Sequence, residues 1–138
     1  MNYLIDTNVF SEIQRGAVCN ERVRSWWESC KPQDLFLSVL VLGEVQRGIS
    51  KLERKDPRSA REYQRWLNSG LQLFAGRILS IDIRIASFWG KITSGRSLPV
   101  IDSLLAATAL CNNMVLVTRN VHDVRDTGVQ FLNPFEMP

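Results

Sequence analysis

Asp6, Glu44, Asp102 and Asp123 are the residues of this 138-residue chain whose types and placement could do chemistry. Asp6 follows the apolar run Tyr3-Leu4-Ile5, which reads as a short buried strand, and Thr7 and Asn8 follow it with polar, cap-competent side chains. Glu44 falls one turn inside the helix expected after Leu35-Phe36-Leu37. Asp102 opens an alanine-rich helix, and Asp123 follows the strand that ends at Val117. Asp6, Glu44 and Asp123 thus all lie just past the carboxyl ends of strands, where an open α/β sheet carries its ligands. Carboxylates gathered there suit Mg²⁺, which prefers oxygen ligands and keeps several waters. One or two such ions held against a phosphodiester lower the pKa of a bound water, orient it in line with phosphorus and stabilise the leaving oxygen. Without metal the cluster repels itself, so at least one of its carboxyl pKa values should rise. Thr7, Asn8, Ser103, Thr118 and Asn120 could orient the carboxylates or hold waters around them. Spacing alone reaches a metal-binding α/β domain; its sharpest form is a magnesium-dependent nuclease assembled around Asp6.

Each acid also has a plainer explanation. Asp102 could equally be a helix N-cap, as Asp82 is expected to be. Asp123 has Asp126 nearby, and either could be an ordinary surface acid. Glu44 is harder to dismiss, because Val41, Leu42, Gly43 and Val45 place it in a segment expected to be half-buried, where an acid seldom sits without a partner. Other chemistries fare poorly. A Ser–His–Asp arrangement would need the single histidine, His122, and there is no G-x-S-x-G elbow. No phosphate-binding glycine loop of the Walker or G-x-G-x-x-G type is present. His122 reads as a surface residue or a support for the acids rather than as a base.

The elements that must position the acids alternate along the chain. Val9, Phe10 and Ile13 mark a short helix that Gly16 ends. Asn20 opens a second helix, with Val23, Trp26 and Trp27, stopped at Lys31-Pro32. After the strand Leu35-Phe36-Leu37, Ser38 caps a helix carrying Val39, Leu42, Val45 and Ile49. Asp56-Pro57 starts the next, with Tyr63, Trp66, Leu67 and Leu71 as its apolar stripe. Arg77-Ile78-Leu79-Ser80-Ile81 reads as a third strand, Asp82 caps the helix through Ile85, Phe88, Trp89 and Ile92, and Ser103–Leu110 is a small-residue helix suited to close packing. Met114–Val117 and Val129–Leu132 complete the strands, with a short helix through His122 and Asp123 between them. This alternation argues for a single α/β domain over 1–138, with a parallel sheet and helices on both faces.

At 45% hydrophobic and 22% charged, the composition is that of a globular chain able to bury a core. No apolar run approaches the roughly 20 residues of a membrane span, and no secretory signal pattern is visible, so the expected compartment is the cytoplasm. Cys19, Cys30 and Cys111 are odd in number and widely spaced, which argues for reduced, structural thiols. The net charge of +3 is unevenly spread: eight Lys/Arg face three acids between Arg47 and Arg77. Such a stripe could follow a phosphate backbone or be a solvated helical hairpin.

Four segments then carry a resemblance. Leu4-Ile5-Asp6-Thr7-Asn8, Ser38 to Val45, Ile101 to Ala109, and Val117 to Asp123 resemble, in order, the motifs of PIN-domain ribonucleases. Gly48 and the ending Phe131-Leu132-Asn133-Pro134-Phe135 are similar to the VapC toxins of bacterial toxin–antitoxin pairs, including FitB-type members. The resemblance implies a PIN-domain fold with four or five parallel strands, and Mg²⁺- or Mn²⁺-dependent endoribonuclease cleavage, often of tRNA or rRNA. It implies that Asp6, Glu44 and Asp102 are the family's regular acids and Asp123 its more variable fourth, with Asn120 standing where many relatives carry an acid. It also implies a homodimer neutralised by a small cognate antitoxin that binds a hydrophobic groove, in an assembly that can sit on promoter DNA. Trp26, Trp27, Leu42 and Trp66 are candidates for that groove or a dimer surface, against plain core packing. Two other functions compete with a toxin ribonuclease: a regulatory module whose acids dock a basic peptide, and a structure-specific nuclease in DNA or RNA maintenance.

Overall fold

The structure, a computed structural model, describes residues 1–138. Five short strands, β1 (Tyr3–Ile5), β2 (Leu35–Ser38), β3 (Ile78–Leu79), β4 (Val115–Val117) and β5 (Phe131–Leu132), form one sheet in the order β3-β2-β1-β4-β5. All four pairings are parallel. Between the strands run α1 (Thr7–Gln14), α2 (Glu21–Ser29), α3 (Val39–Glu53), α4 (Pro57–Leu73), α5 (Ile83–Thr93), α6 (Val100–Cys111) and α7 (Val121–Val124).

The strand order fixes where the helices go. From β1 the chain steps one way to β2 and β3, and after α5 and α6 it crosses to β4 and β5 on the other side. Crossovers between parallel strands are right-handed. The connections α1–α4 and α5–α7 therefore fall on opposite faces, as expected from the sequence. β1 and β4 are neighbours at the point where the stepping direction reverses, so their carboxyl ends flank the sheet's switch point. The core is the sheet plus both helix layers: Leu4, Ile5, Leu37, Leu116 and Val117 meet Val41 on one side and Leu105, Ala106 and Ala109 on the other, all essentially without exposed surface. The alanines let α6 lie close to the sheet, against β1 and β4.

The central strands match the sequence reading and the edge strands are shorter than expected. β3 covers Ile78–Leu79 rather than Arg77–Ile81, and β5 covers Phe131–Leu132 rather than Val129–Leu132. Each pairs on one side only, so nothing prolongs it once the chain turns away. The β3 chain must turn by Asp82, whose side chain accepts the Ile85 N–H at 2.8 Å to cap α5. Similarly, Asn20, Ser38 and Asp56 cap α2, α3 and α4 as their types suggest. All three cysteines are free. No helix is long and apolar enough to cross a membrane.

Candidate active site

Asp6 is the most buried of the four acids, at 3% exposure. The end of β1 places it there, because its own N–H donates to Val117 O at 2.9 Å and so carries the β1–β4 ladder one residue past the strand. Its carboxylate is fully engaged. Oδ1 accepts the Thr7 N–H at 2.7 Å, so Asp6 is itself the N-cap of α1. Oδ2 accepts the Thr118 hydroxyl at 2.7 Å and the Asn8 amide at 3.3 Å. Asn8 reaches back across the switch point and accepts the Arg119 N–H at 3.2 Å, while Thr118 Oγ1 accepts the Asn120 N–H at 3.0 Å. A negative charge at the N-terminus of a helix, with three donors aimed at it, is well supported. Burial nevertheless raises the Asp6 pKa above its ordinary value, the donors only partly offset this, and the nearby Glu44 charge adds to the rise.

Glu44 is exposed, not half-buried as its apolar neighbours suggested. The α3 stripe Val41, Val45 and Ile49 takes the core side, and Glu44 falls on the edge of that stripe. Its partner is Thr7, whose hydroxyl donates to Oε1 at 2.5 Å. Thr7 thus ties the first residue of α1 to the second turn of α3.

Asp102 is not a cap. α6 begins at Val100 with Pro99 in the capping position and no side-chain cap, and Asp102 stands in the first turn. It is half-buried, and its carboxyl is pushed up to about 6 by burial and by the charges of Asp6, Asp123 and Glu44, with Asp123 also within hydrogen-bond reach of it. The four acids therefore sense one another from four separate elements, and one of them holds its proton well above the ordinary range, as an uncompensated cluster must. As the side chains stand, however, no three Asp, Glu, His or Cys groups close around one point. The donor set suits a hard cation in type, being all oxygen, and in charge, since no cationic side chain is among the causes of the Asp6 and Asp102 shifts.

The neutral residues divide. Thr7, Asn8 and Thr118 hold Asp6 and Glu44 directly, and Asn120 is linked to them through its backbone N–H. Ser103 does not reach the acids. Its buried hydroxyl donates to Pro99 O and Val100 O and accepts the Trp89 indole N–H at 2.9 Å, which locks the first turn of α6 to α5. Trp89 was legible only as core; the signal lay in the need of a buried indole N–H for a partner. Of the aromatic candidates, Trp26 and Trp27 pack on Tyr3 and Phe74 respectively, and Leu42 is half-buried against the core. Trp66, beside Phe10, lines a groove of about 510 Å³ between α1, α3 and α4 that opens on Thr7 and Glu44 and also contains Gly48 and Tyr63.

A five-stranded parallel sheet with carboxylates at its switch point is the arrangement of a PIN domain, and the chain belongs to that family: residues 3–127 match the PIN domain. It is 33% identical over 137 residues to toxin FitB of Neisseria gonorrhoeae, covering 96% of this chain and 97% of that one. It is 26% identical over 138 residues to the VapC ribonuclease Y4jK of Sinorhizobium fredii, covering 96% and 97%. Among solved structures, FitAB bound to an IR36 DNA fragment matches it with a TM-score of 0.88 at 32% identity, over 99% of this chain and 97% of that one.

Proposed function

We propose that the protein is the toxin of a toxin–antitoxin pair and acts as an endoribonuclease dependent on Mg²⁺ or Mn²⁺. The observation that carries this is the meeting of Asp6, Glu44, Asp102 and Asp123 at the switch point, with Asp102 holding its proton up to about 6 against the other three charges. Ribonuclease-named relatives in the same family support it. When bound, the cation would supply Lewis-acid polarisation of a phosphodiester and an acidified water. Asp6, Glu44, Asp102 and Asp123 would hold it. Thr7, Asn8 and Thr118 fix the orientation of Asp6, and Thr7 fixes Glu44. Asp102, beside Asp123, is the carboxyl whose charge Asp6, Asp123 and Glu44 all disfavour. Asn120 stands at the rim, exposed, where it can orient a water or the RNA strand. tRNA or rRNA is the proposed substrate class, in the cytoplasm.

A small cognate antitoxin is the proposed partner, laid in the groove beside Thr7, Glu44 and Trp66. A homodimer and a complex on promoter DNA are proposed with it; solved relatives include toxin–antitoxin complexes on DNA. One observation favours a second reading, a regulatory module whose acids dock a basic peptide: no three carboxylates close on one point.

Cleavage of a mixed tRNA and rRNA substrate with Mn²⁺, Mg²⁺ or EDTA separates the two. The nuclease predicts cutting that EDTA stops and that Asp6→Asn reduces at least about 100-fold, in the range lost with a principal charge-stabilising group, with unchanged circular dichroism. Cutting by Asp6→Asn at the wild-type rate, or cutting indifferent to EDTA, would contradict it.

A further inference from the structure

The basic stripe between Arg47 and Arg77 resolves into two unlike faces. On α4, Arg58 and Arg65 have Glu62 at four and three residues' distance, the spacing at which helix side chains of opposite charge relieve one another. On α3 only Arg47 has an acid at such a spacing, Glu44 three residues before it; Lys51, Arg54 and Lys55 have none. Arg47 and Lys51 lie four apart on the helix, and Lys51 lies four from Lys55 in the turn that follows, so like charges stack on one face at a cost to the helix. Arg54, at the C-cap, adds a fourth charge beside them. All four are exposed, and the molecule's single ion pair, Arg15 with Glu12, is elsewhere. The acids of the hairpin offer them little. Asp56 is committed to Ser59 at the cap of α4, and Glu53 lines a cleft with Arg61 of α4.

The placement is directional. Glu44, Gly48, Lys51 and Lys55 follow one another at i, i+4, i+7 and i+11, one row along the helix, with cations about 6 Å apart along its axis at four-residue steps. The row starts at a carboxylate of the candidate site. Between Glu44 and Lys51 the row is open at Gly48, where an added Cβ would meet nothing within 4 Å, so a chain can lie directly on the helix there.

We propose that Arg47, Lys51, Arg54 and Lys55 form an entry track that holds the backbone of single-stranded RNA and feeds it past Gly48 to the carboxylates. The proposal rests on the nuclease reading of the site. A phosphodiester strand fits both ends of the row: its phosphates meet the cations, and its scissile group belongs among the acids that would hold a divalent ion. An acidic peptide fits only the cationic end.

The test measures binding of a fluorescent single-stranded RNA against salt in the Asp6→Asn background, where the strand stays intact. Each lost phosphate contact on a single strand lowers the log–log salt slope by about 0.7. Arg47→Gln with Lys51→Gln should therefore lower it by about 1.4 and, in otherwise native protein, raise KM for cleavage while leaving kcat unchanged. Arg58→Gln with Arg65→Gln on α4 should leave slope and KM as they are. An unchanged slope in the α3 variant overturns the track, as does an equal fall in the α4 variant. Loss of binding to a polyglutamate peptide with RNA binding intact would overturn RNA as occupant in favour of an acidic protein. A wild-type protein that cuts RNA beside an α3 variant indistinguishable from it overturns the track and leaves the nuclease standing. A wild-type protein that neither binds nor cuts RNA overturns the nuclease, and the track falls with it.

Discussion

Asp6 and Asp102 are both held above the ordinary carboxylate range by burial, yet they are built differently. Asp6 keeps three donors on its oxygens. Asp102 has other acids instead: Asp6, Asp123 and Glu44 all disfavour its charge, and its carboxyl rises from 3.8 to about 6. The consequence for stability has a definite sign. Between those two pH values the folded protein keeps a proton that the unfolded chain has lost, so the contribution of Asp102 is most favourable below 3.8 and is lost as pH rises through about 6. Solvent reaches the group, and screening trims the effect below its full linkage value. In metal-free protein, urea unfolding across this window should show stability falling with pH more steeply in the wild type than in Asp102→Asn, and Asp123→Asn should move the Asp102 titration down. Parallel pH profiles for wild type and Asp102→Asn would show that the carboxylates do not share a site.

At the scale of elements, Asp82 and Asp102 separate two roles that the sequence leaves open. Asp82 is a cap, bonded to the Ile85 N–H; Asp102 stands three residues past the capping position of its helix. Asp82→Ala should cost about 1 kcal/mol of stability and leave RNA cleavage unchanged, as checked by thermal unfolding alongside the cleavage assay. A loss of cleavage there would place Asp82 in the site. The central elements were legible because apolar runs and cap residues agree: Tyr3-Leu4-Ile5 and Met114–Val117 read as buried strands, the second beginning at Val115 in the fold, and Asn20, Ser38, Asp56 and Asp82 each start a helix. The extents of β3 and β5 were not legible, because an edge strand ends where its single neighbour does. In the candidate site, the placement of Asp6, Glu44 and Asp123 followed from strand ends, whereas Asp102 reads only as opening a helix. The directions of Glu44 and Ser103 did not follow from them. A helical residue turns 100° per position, so α6 starting at Val100 aims Ser103 at Trp89, and the core stripe of α3 leaves Glu44 exposed beside Thr7.

At the scale of the whole molecule, a net charge of +3 hides a separation of charge. Asp6, Glu44 and Asp123 lie within electrostatic reach of Asp102, and cations run down α3 from Glu44. The nuclease and the RNA track both depend on the acids being a divalent cation site. Calorimetric titration of Mn²⁺ into the purified protein, with a short uncleavable RNA analogue present and absent, tests this most directly, with Asp6→Asn beside the wild type. The account predicts saturable binding by the wild type in at least one condition and none by Asp6→Asn. Near pH 6 the heat should vary with the ionisation enthalpy of the buffer, as Asp102 gives up its proton. No binding by the wild type in either condition, or equal binding by Asp6→Asn, would contradict it.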